Sequence, residues 1–395
     1  MAATELILLA LSALALLIWV GLLAVWGQFW RADQLLEEGD LAPYQLSVQP
    51  SVAVIIPARD EAELIPVAIR AHLIQTYSGP LSIVLVDDQS TDGTAAAAMQ
   101  VAKDCGQEAK LTVLSGQPLP AGWTGKLWAM EQGFHYLQQQ AACPDYVLFT
   151  DADIEHHAGS VQQLVNKAEK DQLDLVSLMV MLRCQSAWER RLIPAFVFFF
   201  QMLYPFPWVN DPRKKTAAAA GGCALLRFNA LQRMGGLQVI RNALIDDCAL
   251  GAAVKKDGPI WLGLSADTRS LRPYPSLKSI WNMVTRSAYT QLNYSPWLLI
   301  GTVFGMLLVY AMLPLAVALG LAEGQWLLAL VGGVGWLLMA IAYWPTLKFY
   351  GGSAGGALAL PGIAFLYLLM TLDSARHHWQ GQGGFWKGRV YSASN

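Results

Sequence analysis

Four long apolar stretches lie near the two ends of the chain and predict helices that cross a membrane. They cover Leu6–Trp26, Trp297–Leu321, Trp326–Trp344 and Ala357–Leu372. About 20 apolar residues are enough for a helix to span a bilayer. The first stretch could instead be a cleaved signal peptide, but no basic region precedes it. We therefore expect residues 1–47 to hold an uncleaved anchor and a linker, and residues 291–395 to form a second membrane region with a short tail.

Between residues 48 and 290, short apolar runs alternate with helical patterns. Strands are predicted at 51–58, 81–88, 111–115, 145–153 and 173–180. Helices are predicted at 61–76, 92–106 and 123–140, and from about residue 160. Apolar strands separated by helices are typical of a mostly parallel sheet that is covered on both faces. The fold class is therefore α/β, with membrane helices on either side of the sheet domain.

A further apolar stretch, residues 193–208, lies inside this region and contains three prolines, at 194, 205 and 207. It fits a helix lying in the membrane interface. It fits a buried core helix as well, and the sequence leaves the two interpretations open.

Composition agrees with a membrane protein that has no nucleic-acid partner. The 395 residues are 54% hydrophobic and 14% charged, whereas soluble domains carry about 25% charged residues. A net charge of −2 gives no basic field for nucleic acid. The five cysteines are scattered without a C-x-x-C pair, which argues against a zinc site or a disulfide framework.

The distribution of basic residues predicts how the chain is oriented in the cell membrane. Four basic residues precede the second apolar stretch: Arg269, Arg272, Lys278 and Arg286. The loop 322–325 carries no Lys or Arg, so the positive-inside rule places the middle region in the cytoplasm. Four spans would leave the tail outside, yet the tail carries Arg376, Lys387 and Arg389. Either the last segment is re-entrant, or the tail breaks the rule.

Acidic residues follow three of the predicted strands, in "PARDE", "VDDQSTDGT" and "TDADI". The carboxyl ends of parallel strands share one edge of a sheet, where ligands bind. Six acids should meet there: Asp60, Glu61, Asp87, Asp88, Asp151 and Asp153. Mg²⁺ or Mn²⁺ would offset their repulsion, because such ions bind through one or two carboxylates plus substrate phosphates. Asp151 and Asp153 point to opposite faces if extended, so one can bind metal while the other reaches a ribose.

Two common nucleotide motifs are absent. No G-x-G-x-x-G follows the first strand, which disfavours a dinucleotide domain. The Gly-Lys pair in "PAGWTGKLWA" (120–129) lacks the remaining residues of a P-loop.

The ordered set "VIIPARDE", "VDDQSTDGT", "TDAD" and "IDDCAL" (245–250) resembles family 2 glycosyltransferases of the GT-A fold, over about residues 50–290. The Gly-Lys helix, the apolar C-terminal stretches and the tail "GGFWKGRVY" are similar to one branch of that family. This branch is the hopanoid-associated, or hopene-associated, glycosyltransferases, which stand near the ceramide glucosyltransferases.

The resemblance implies a metal-dependent hexosyltransferase with a UDP-sugar donor and a membrane-lipid acceptor, a hopanoid in that branch. Asp153 would bind the cation, and Asp247 would be the catalytic base. The residues implied at the nucleotide sugar are Pro57, Ala58, Arg59, Glu61, Asp87, Asp88, Lys126, Asp151 and Arg286. "GGCALLR" (221–227) would form the acceptor-side wall. Relatives often carry Gln-x-x-Arg-Trp after the base motif, whereas this chain has "MVTRS" (283–287).

Attack by an acceptor hydroxyl, with Asp247 as base, is a single displacement that inverts the anomeric centre. We expect Asp246 to face elsewhere, because consecutive helical residues point about 100° apart. Two other functions stay open: a processive polysaccharide synthase, and a non-enzymatic membrane-anchored nucleotide-sugar-binding or scaffold protein.

Plainer interpretations exist for several of these residues. Asp87 and Asp88 suit the cap of a turn. Asp246 and Asp247 suit a solvated helix N-terminus. His156 and His157 follow the D-x-D, but a hard cation has no need of histidine, so we expect neither to bind the metal.

Overall fold

The computed structural model describes residues 3–36, 48–381, 385–386 and 389–390. The predicted linker at 37–47 and Lys387 of the tail lie outside the described residues. The described chain forms two compact units. The apolar unit lies within Met1–Asp33, Cys184–Pro207 and Tyr274–Gly384, and the sheet unit lies within Gln34–Arg183, Trp208–Pro273 and Phe385–Asn395.

The strands are β1 (Val52–Ala58), β2 (Leu81–Asp87), β3 (Leu111–Ser115), β4 (Tyr146–Phe149), β5 (Ile154–Glu155), β6 (Leu175–Met181), β7 (Ala224–Arg227), β8 (Ile260–Ser270), β9 (Phe385–Trp386) and β10 (Arg389–Val390). The helices are α1 (Ala3–Val25), α2 (Ile65–Leu73), α3 (Thr94–Asp104), α4 (Gly125–Gln138), α5 (Ser160–Lys170), α6 (Ala187–Leu203), α7 (Phe206–Asn210), α8 (Phe228–Arg233), α9 (Asp246–Val254), α10 (Leu277–Thr285), α11 (Pro296–Met306), α12 (Met312–Ala322), α13 (Trp326–Phe349) and α14 (Leu360–Trp379).

The sheet unit is built on eight strands in the order β3-β2-β1-β4-β7-β6-β8-β5. β3, β2, β1 and β4 run parallel, whereas β7 is antiparallel to both of its neighbours. All seven residues of β1 are buried, as expected for a central strand covered on both faces. Because β1 runs parallel to both β2 and β4, their acidic endings fall on one edge, as predicted. That this edge binds a ligand stays a prediction.

The pattern of apolar runs located β1, β2, β3 and β6 to within two residues, and β4 is shorter than predicted. The chain leaves the strand conformation at Thr150, so the D-x-D lies in a turn. Three further strands of this eight-stranded sheet, β5, β7 and β8, were not predicted. β7 has four residues and β5 two, which is too short for an alternating pattern to be recognised.

The apolar unit contains α1, α6 and α10 to α14. Its core includes aromatic side chains from several of these helices: Phe198 of α6 packs edge-on against Tyr343 of α13, with 5.3 Å between ring centroids. Two of the polar side chains inside the unit are hydrogen-bonded. Gln201 donates to Oγ1 of Thr346 at 3.0 Å, and the Tyr367 hydroxyl donates to the carbonyl of Leu192 at 2.9 Å.

Four helical segments of this unit are long and apolar enough to cross a membrane: Ala3–Val25, Pro296–Ala322, Trp326–Phe349 and Ala354–Trp379. They coincide with the four predicted stretches. The 193–208 stretch begins inside α6, whose Leu192, Ala195 and Phe198 are buried in the core of the unit. Contact of α6 with lipid, the cytoplasmic side of the sheet unit and the side of the tail stay predictions.

Candidate active site

Backbone and side-chain contacts join the ends of β1 and β2 at the acidic edge of the sheet. The amide of Asp88 donates to the carbonyl of Ala58 at 2.8 Å. Nη1 of Arg59 donates to the carbonyl of Asp88 at 2.6 Å and lies 3.7 Å from its Oδ2. Asp88 is fully buried, and a carboxylate at such a position requires a nearby cation or donors. Arg59 and Asp88 therefore form one rigid corner of the site.

The turns after these strands give the other predicted nucleotide residues different surroundings. Asp60, in the left-handed region at φ 49°, accepts the amide of Thr91 at 2.8 Å. Asp87 accepts the amide of Ser90 at 3.1 Å, so it does cap its own turn. Pro57 and Ala58 are buried within β1, and the carbonyl of Ala58 already accepts the amide of Asp88.

Arg272 joins two of the predicted acids, and the sequence analysis assigned it no place in the site. Its Nε lies 2.6 Å from Oδ2 of Asp153, and its Nη2 donates to Glu61. Burial alone would lower the pKa of this guanidinium, but Asp153 and Glu61 together raise the pKa above its ordinary value. Arg272 follows β8, where the amide of Leu271 donates to the carbonyl of Asp153 at 2.8 Å.

Lys126 joins the D-x-D to the acid pair of "IDDCAL". It is the second residue of α4, and its ammonium lies 2.8 Å from Oδ1 of Asp151 and 3.1 Å from Oδ2 of Asp246. Burial would lower the pKa of this lysine, but the two carboxylates hold the pKa above its usual value. Burial, and after it the charge of Asp153, raises the pKa of Asp151, although Lys126 opposes this.

The expectation that Asp246 faces away from the site is wrong. Asp246, Asp247 and Lys126 line the same small pocket, together with Gly221. The two acids begin α9, and in this first turn both side chains are close enough to the Lys126 ammonium to affect its pKa. The angular separation of neighbouring helical residues was therefore too weak a criterion to exclude Asp246.

Asp247 is held by two backbone amides and has a raised pKa. Gly221 donates to its Oδ2 at 3.0 Å, and Cys248 donates to its Oδ1 at 2.7 Å. Burial, followed by the neighbouring charge of Asp246, raises the pKa of Asp247 to about 6, while Lys126 and the two amides oppose the rise. A carboxylate with a pKa near 6 is ionised at neutral pH and can still accept a proton, as a general base must.

Two histidines follow the D-x-D: His156 is buried in the protein interior, and His157 is partly buried. Nε2 of His156 lies 2.9 Å from Oγ1 of Thr150, the residue before Asp151. Its ring packs against the buried ring of His72, with 4.6 Å between centroids. His157 contacts Gln163 instead, with Nε2 2.8 Å from Oε1. These hydrogen bonds account for His156 and His157 within the fold.

The two acids of the D-x-D have free carboxylate oxygens that suit the predicted divalent cation. Within the part of the chain that the structure describes, no group of three or more His, Cys, Asp or Glu side chains is arranged around a common metal position. Mg²⁺ and Mn²⁺ bound with a nucleotide need only one or two protein carboxylates. Asp151 and Asp153 each use a single oxygen toward Lys126 or Arg272, so each has a second oxygen for a cation. The residues therefore fit a cation that shares its coordination with phosphate.

The sheet unit brings together nearly all the predicted site residues. Arg286 is the exception, since it follows α10 in the apolar unit, and its role at the diphosphate stays a prediction. Residues 221–227 lead from the Gly221 contact with Asp247 into β7. Arg272 and Asp246 enter the site without having been predicted there from the sequence.

Comparison with known proteins agrees with this architecture. Residues 53–235 match the model of the family Glycosyl transferase family 2. A mannosyltransferase from Pyrobaculum calidifontis, solved with GDP-Man and Mn²⁺, matches with a TM-score of 0.51 at 19% identity, over 93% of this chain and 97% of that chain. The fold is GT-A. The resemblance to family 2 is thus confirmed over the matched segment, which ends before Asp247.

Two other solved structures match more loosely. Mannosyl-3-phosphoglycerate synthase from Rubrobacter xylanophilus has a TM-score of 0.42 at 17% identity, over 66% of this chain and 80% of that chain. Glucosyl-3-phosphoglycerate synthase from Mycobacterium tuberculosis, solved with Mg²⁺ and UDP, has a TM-score of 0.39 at 17% identity, over 61% and 79%. The likeness to the hopanoid-associated branch and the ceramide glucosyltransferases stays a prediction.

Proposed function

We propose that the protein is an inverting membrane glycosyltransferase that moves a sugar from a nucleotide-diphosphate sugar to a lipid acceptor. One observation carries the proposal: the Lys126 ammonium lies between Asp151 of the D-x-D and the acid pair Asp246–Asp247. A cation between the donor-binding motif and a carboxylate base is what a leaving diphosphate requires. The match of residues 53–235 to family 2 supports the same reaction class.

The donor nucleotide would bind along the edge formed by β1, β2 and β4. Arg59 and the buried Asp88 would face the nucleobase of the donor, and Asp151 would reach its ribose. Asp153 would hold Mg²⁺ or Mn²⁺, which when bound supplies positive charge to the diphosphate. The family resemblance favours UDP, whereas the mannosyltransferase from Pyrobaculum calidifontis was solved with GDP-Man. Both nucleotides therefore belong in the first assays.

In the transfer step, the acceptor hydroxyl attacks the anomeric carbon from the face opposite the diphosphate. The new glycosidic bond forms as the bond between sugar and diphosphate breaks, and both electrons of the broken bond leave with the diphosphate. Asp247 takes the hydroxyl proton, and the amides of Gly221 and Cys248 fix the direction of its carboxylate. Lys126 stabilises the charge on the departing diphosphate.

A lipid acceptor is supported by the four helical segments that can cross a membrane and by the apolar helix α6. In the hopanoid-associated branch that the sequence resembles, the acceptor would be a hopanoid. Residues 221–227, which begin at the Gly221 contact with Asp247, would form the wall on the acceptor side.

Mass spectrometry of lipid extracts tests this proposal for any sugar and any lipid acceptor. A deletion strain should lack one glycosylated lipid, and the chain supplied in trans should restore it. The mass of the missing lipid then gives the class of the transferred sugar, and its fragments identify the acceptor lipid. An unchanged set of lipids, together with loss of a secreted polysaccharide, would contradict the lipid acceptor and favour a processive synthase.

A further inference from the structure

The Arg272 guanidinium bridges two acids that the proposed function assigns to the donor site. We propose that the Arg272 guanidinium competes with a divalent cation for the Asp153 carboxylate, so that the cation binds in the site only together with the diphosphate of the donor. This inference rests on the proposed function, because it takes Asp153 as the cation ligand. It adds a role for Arg272 that depends on competition between two cations for one carboxylate.

Arg272 is held in place by the backbone as well as by its ion pairs. Ile154 and Glu155 of β5 pair with Ser270 and Arg269 of β8, directly before Arg272. The amide of Leu271 donates to the carbonyl of Asp153. The fold therefore brings residue 272 to the D-x-D through main-chain hydrogen bonds. The guanidinium is not required to join these two segments, which leaves its charge available for another task.

The guanidinium is also partly accessible. Its side chain is 32% exposed, whereas the side chains of Asp153 and Glu61 are about 10% exposed. An arginine sealed inside the protein could not exchange partners, but one with an open side can turn from a carboxylate to an arriving phosphate. Arginine binds phosphate oxygens in the same two-pronged way as carboxylate oxygens.

Charge decides the order in which ligands bind. With Arg272 on Oδ2 of Asp153, a free divalent cation at the other oxygen would lie a few ångströms from a like charge. A diphosphate reverses this repulsion, because its oxygens bind the metal and offer Arg272 a new partner. The site then accepts a metal–nucleotide complex more readily than the bare metal.

Asp151, the first acid of the D-x-D, is also paired with a cationic side chain, the Lys126 ammonium. Lys126 also contacts Asp246, however, so its removal would disturb the proposed base as well. Arg272 touches only Glu61 and Asp153 among the acids of the site. Substitution at residue 272 is therefore the cleaner test of cation competition.

The test measures Mn²⁺ binding to the protein in detergent. Electron paramagnetic resonance detects the Mn²⁺ that stays free. Binding is measured with Mn²⁺ alone and with Mn²⁺ plus UDP or GDP. Arg272→Gln and Arg272→Met remove the charge, and each should bind Mn²⁺ alone about tenfold more tightly than the wild type. Arg272→Lys keeps a charge and should resemble the wild type. The matched control is Arg269→Gln, which changes an exposed arginine near the end of β8, three residues before Arg272, and should leave Mn²⁺ binding unchanged.

A purely structural role for Arg272 would weaken Mn²⁺ binding or leave it unchanged, and that result would overturn the proposal. The double variant Arg272→Gln/Asp153→Asn should lose the gain, which places the extra affinity at Asp153. If the wild type binds Mn²⁺–nucleotide but the uncharged variants show no gain, this inference fails and the proposed function stands. If no variant binds Mn²⁺ with or without nucleotide, both fail.

Discussion

The ammonium nitrogen of Lys126 lies 2.8 Å from Oδ1 of Asp151. The same nitrogen is 3.1 Å from Oδ2 of Asp246, the neighbour of the proposed base. One half-buried cation thus spans the two acidic motifs, which stand almost a hundred residues apart in the sequence. In the proposed transfer step, the Lys126 ammonium would stabilise the negative charge that develops on the leaving diphosphate.

Removal of this charge should reduce transfer more than donor binding. Lys126→Met is expected to lower kcat about 100-fold to 1000-fold, the usual loss when one donor to a developing charge is removed. Lys126→Arg keeps the charge in a different shape and should lose less. Steady-state kinetics with a radiolabelled donor measures both. A Lys126→Met variant with wild-type kcat and only a raised KM would show that the lysine serves ground-state binding alone.

The pH profile of the enzyme should report Asp247. Its pKa, raised to about 6 by burial and by Asp246, means that the base becomes protonated as the pH falls below about 6. We expect kcat/KM to fall about tenfold per pH unit on that acidic limb. Asp246→Asn removes the neighbouring negative charge and should move the limb to lower pH.

A limb that stays in place in Asp246→Asn would contradict this assignment of the limb to Asp247. Asp60→Asn is the matched control, since Asp60 lies in the turn after β1 and does not contribute to the pKa of Asp247.

The two acids of the D-x-D should differ in their effect on metal binding. Asp153→Ala is expected to abolish Mn²⁺ dependence of nucleotide binding, because Asp153 is the proposed ligand. Asp151→Ala should keep that dependence while weakening the nucleotide itself, because Asp151 is assigned to the ribose. Calorimetric titration of UDP or GDP, with Mn²⁺ and with EDTA, separates the two effects. Equal loss of metal dependence in both variants would undo the division.

Buried histidines should make the sheet unit sensitive to acid. Burial lowers the pKa of His72 from 6.5 to about 4. Between these two pH values the unfolded chain binds a proton at His72, whereas the folded chain does not. Stability is therefore lost as the pH falls from about 6.5 toward 4, with about 2 kcal/mol from His72 at pH 5.

His72→Leu should show a smaller fall in Tm between pH 7 and pH 5 than the wild type. His135→Gln, a change at an exposed histidine, should follow the wild type. Thermal unfolding by intrinsic fluorescence in detergent measures both variants. An equal acid shift in wild type and His72→Leu would remove His72 from the explanation.

The sequence predicted the central strands because they are buried on both faces and leave continuous apolar runs, as β1 does. It also predicted which edge carries the acids, since parallel neighbours end together. The local pattern of apolar and polar residues could not predict β7 and β8. β7 is too short to show a period, and β8 combines a buried first half with a second half in which buried and exposed residues are mixed.

Arg272 and Asp246 show why the site was only partly predictable. Arg272 looked like one basic residue among several before a membrane span, and its partners Glu61 and Asp153 lie 211 and 119 residues away. Such a contact arises from sheet topology, because β8 pairs with β5 beside the D-x-D. An arginine at the end of the last strand of a sheet whose other strands end in acids is the signal that could have indicated it.

Substitution of Asp247 tests the central claim most directly. The wild type and Asp247→Asn are compared in nanodiscs with radiolabelled UDP-sugars and GDP-sugars and a lipid extract, and label in the organic phase is counted. We expect Asp247→Asn to bind nucleotide and Mn²⁺ as the wild type does but to transfer no sugar above background. Transfer at the wild-type rate by Asp247→Asn, with nucleotide binding intact, would contradict this expectation.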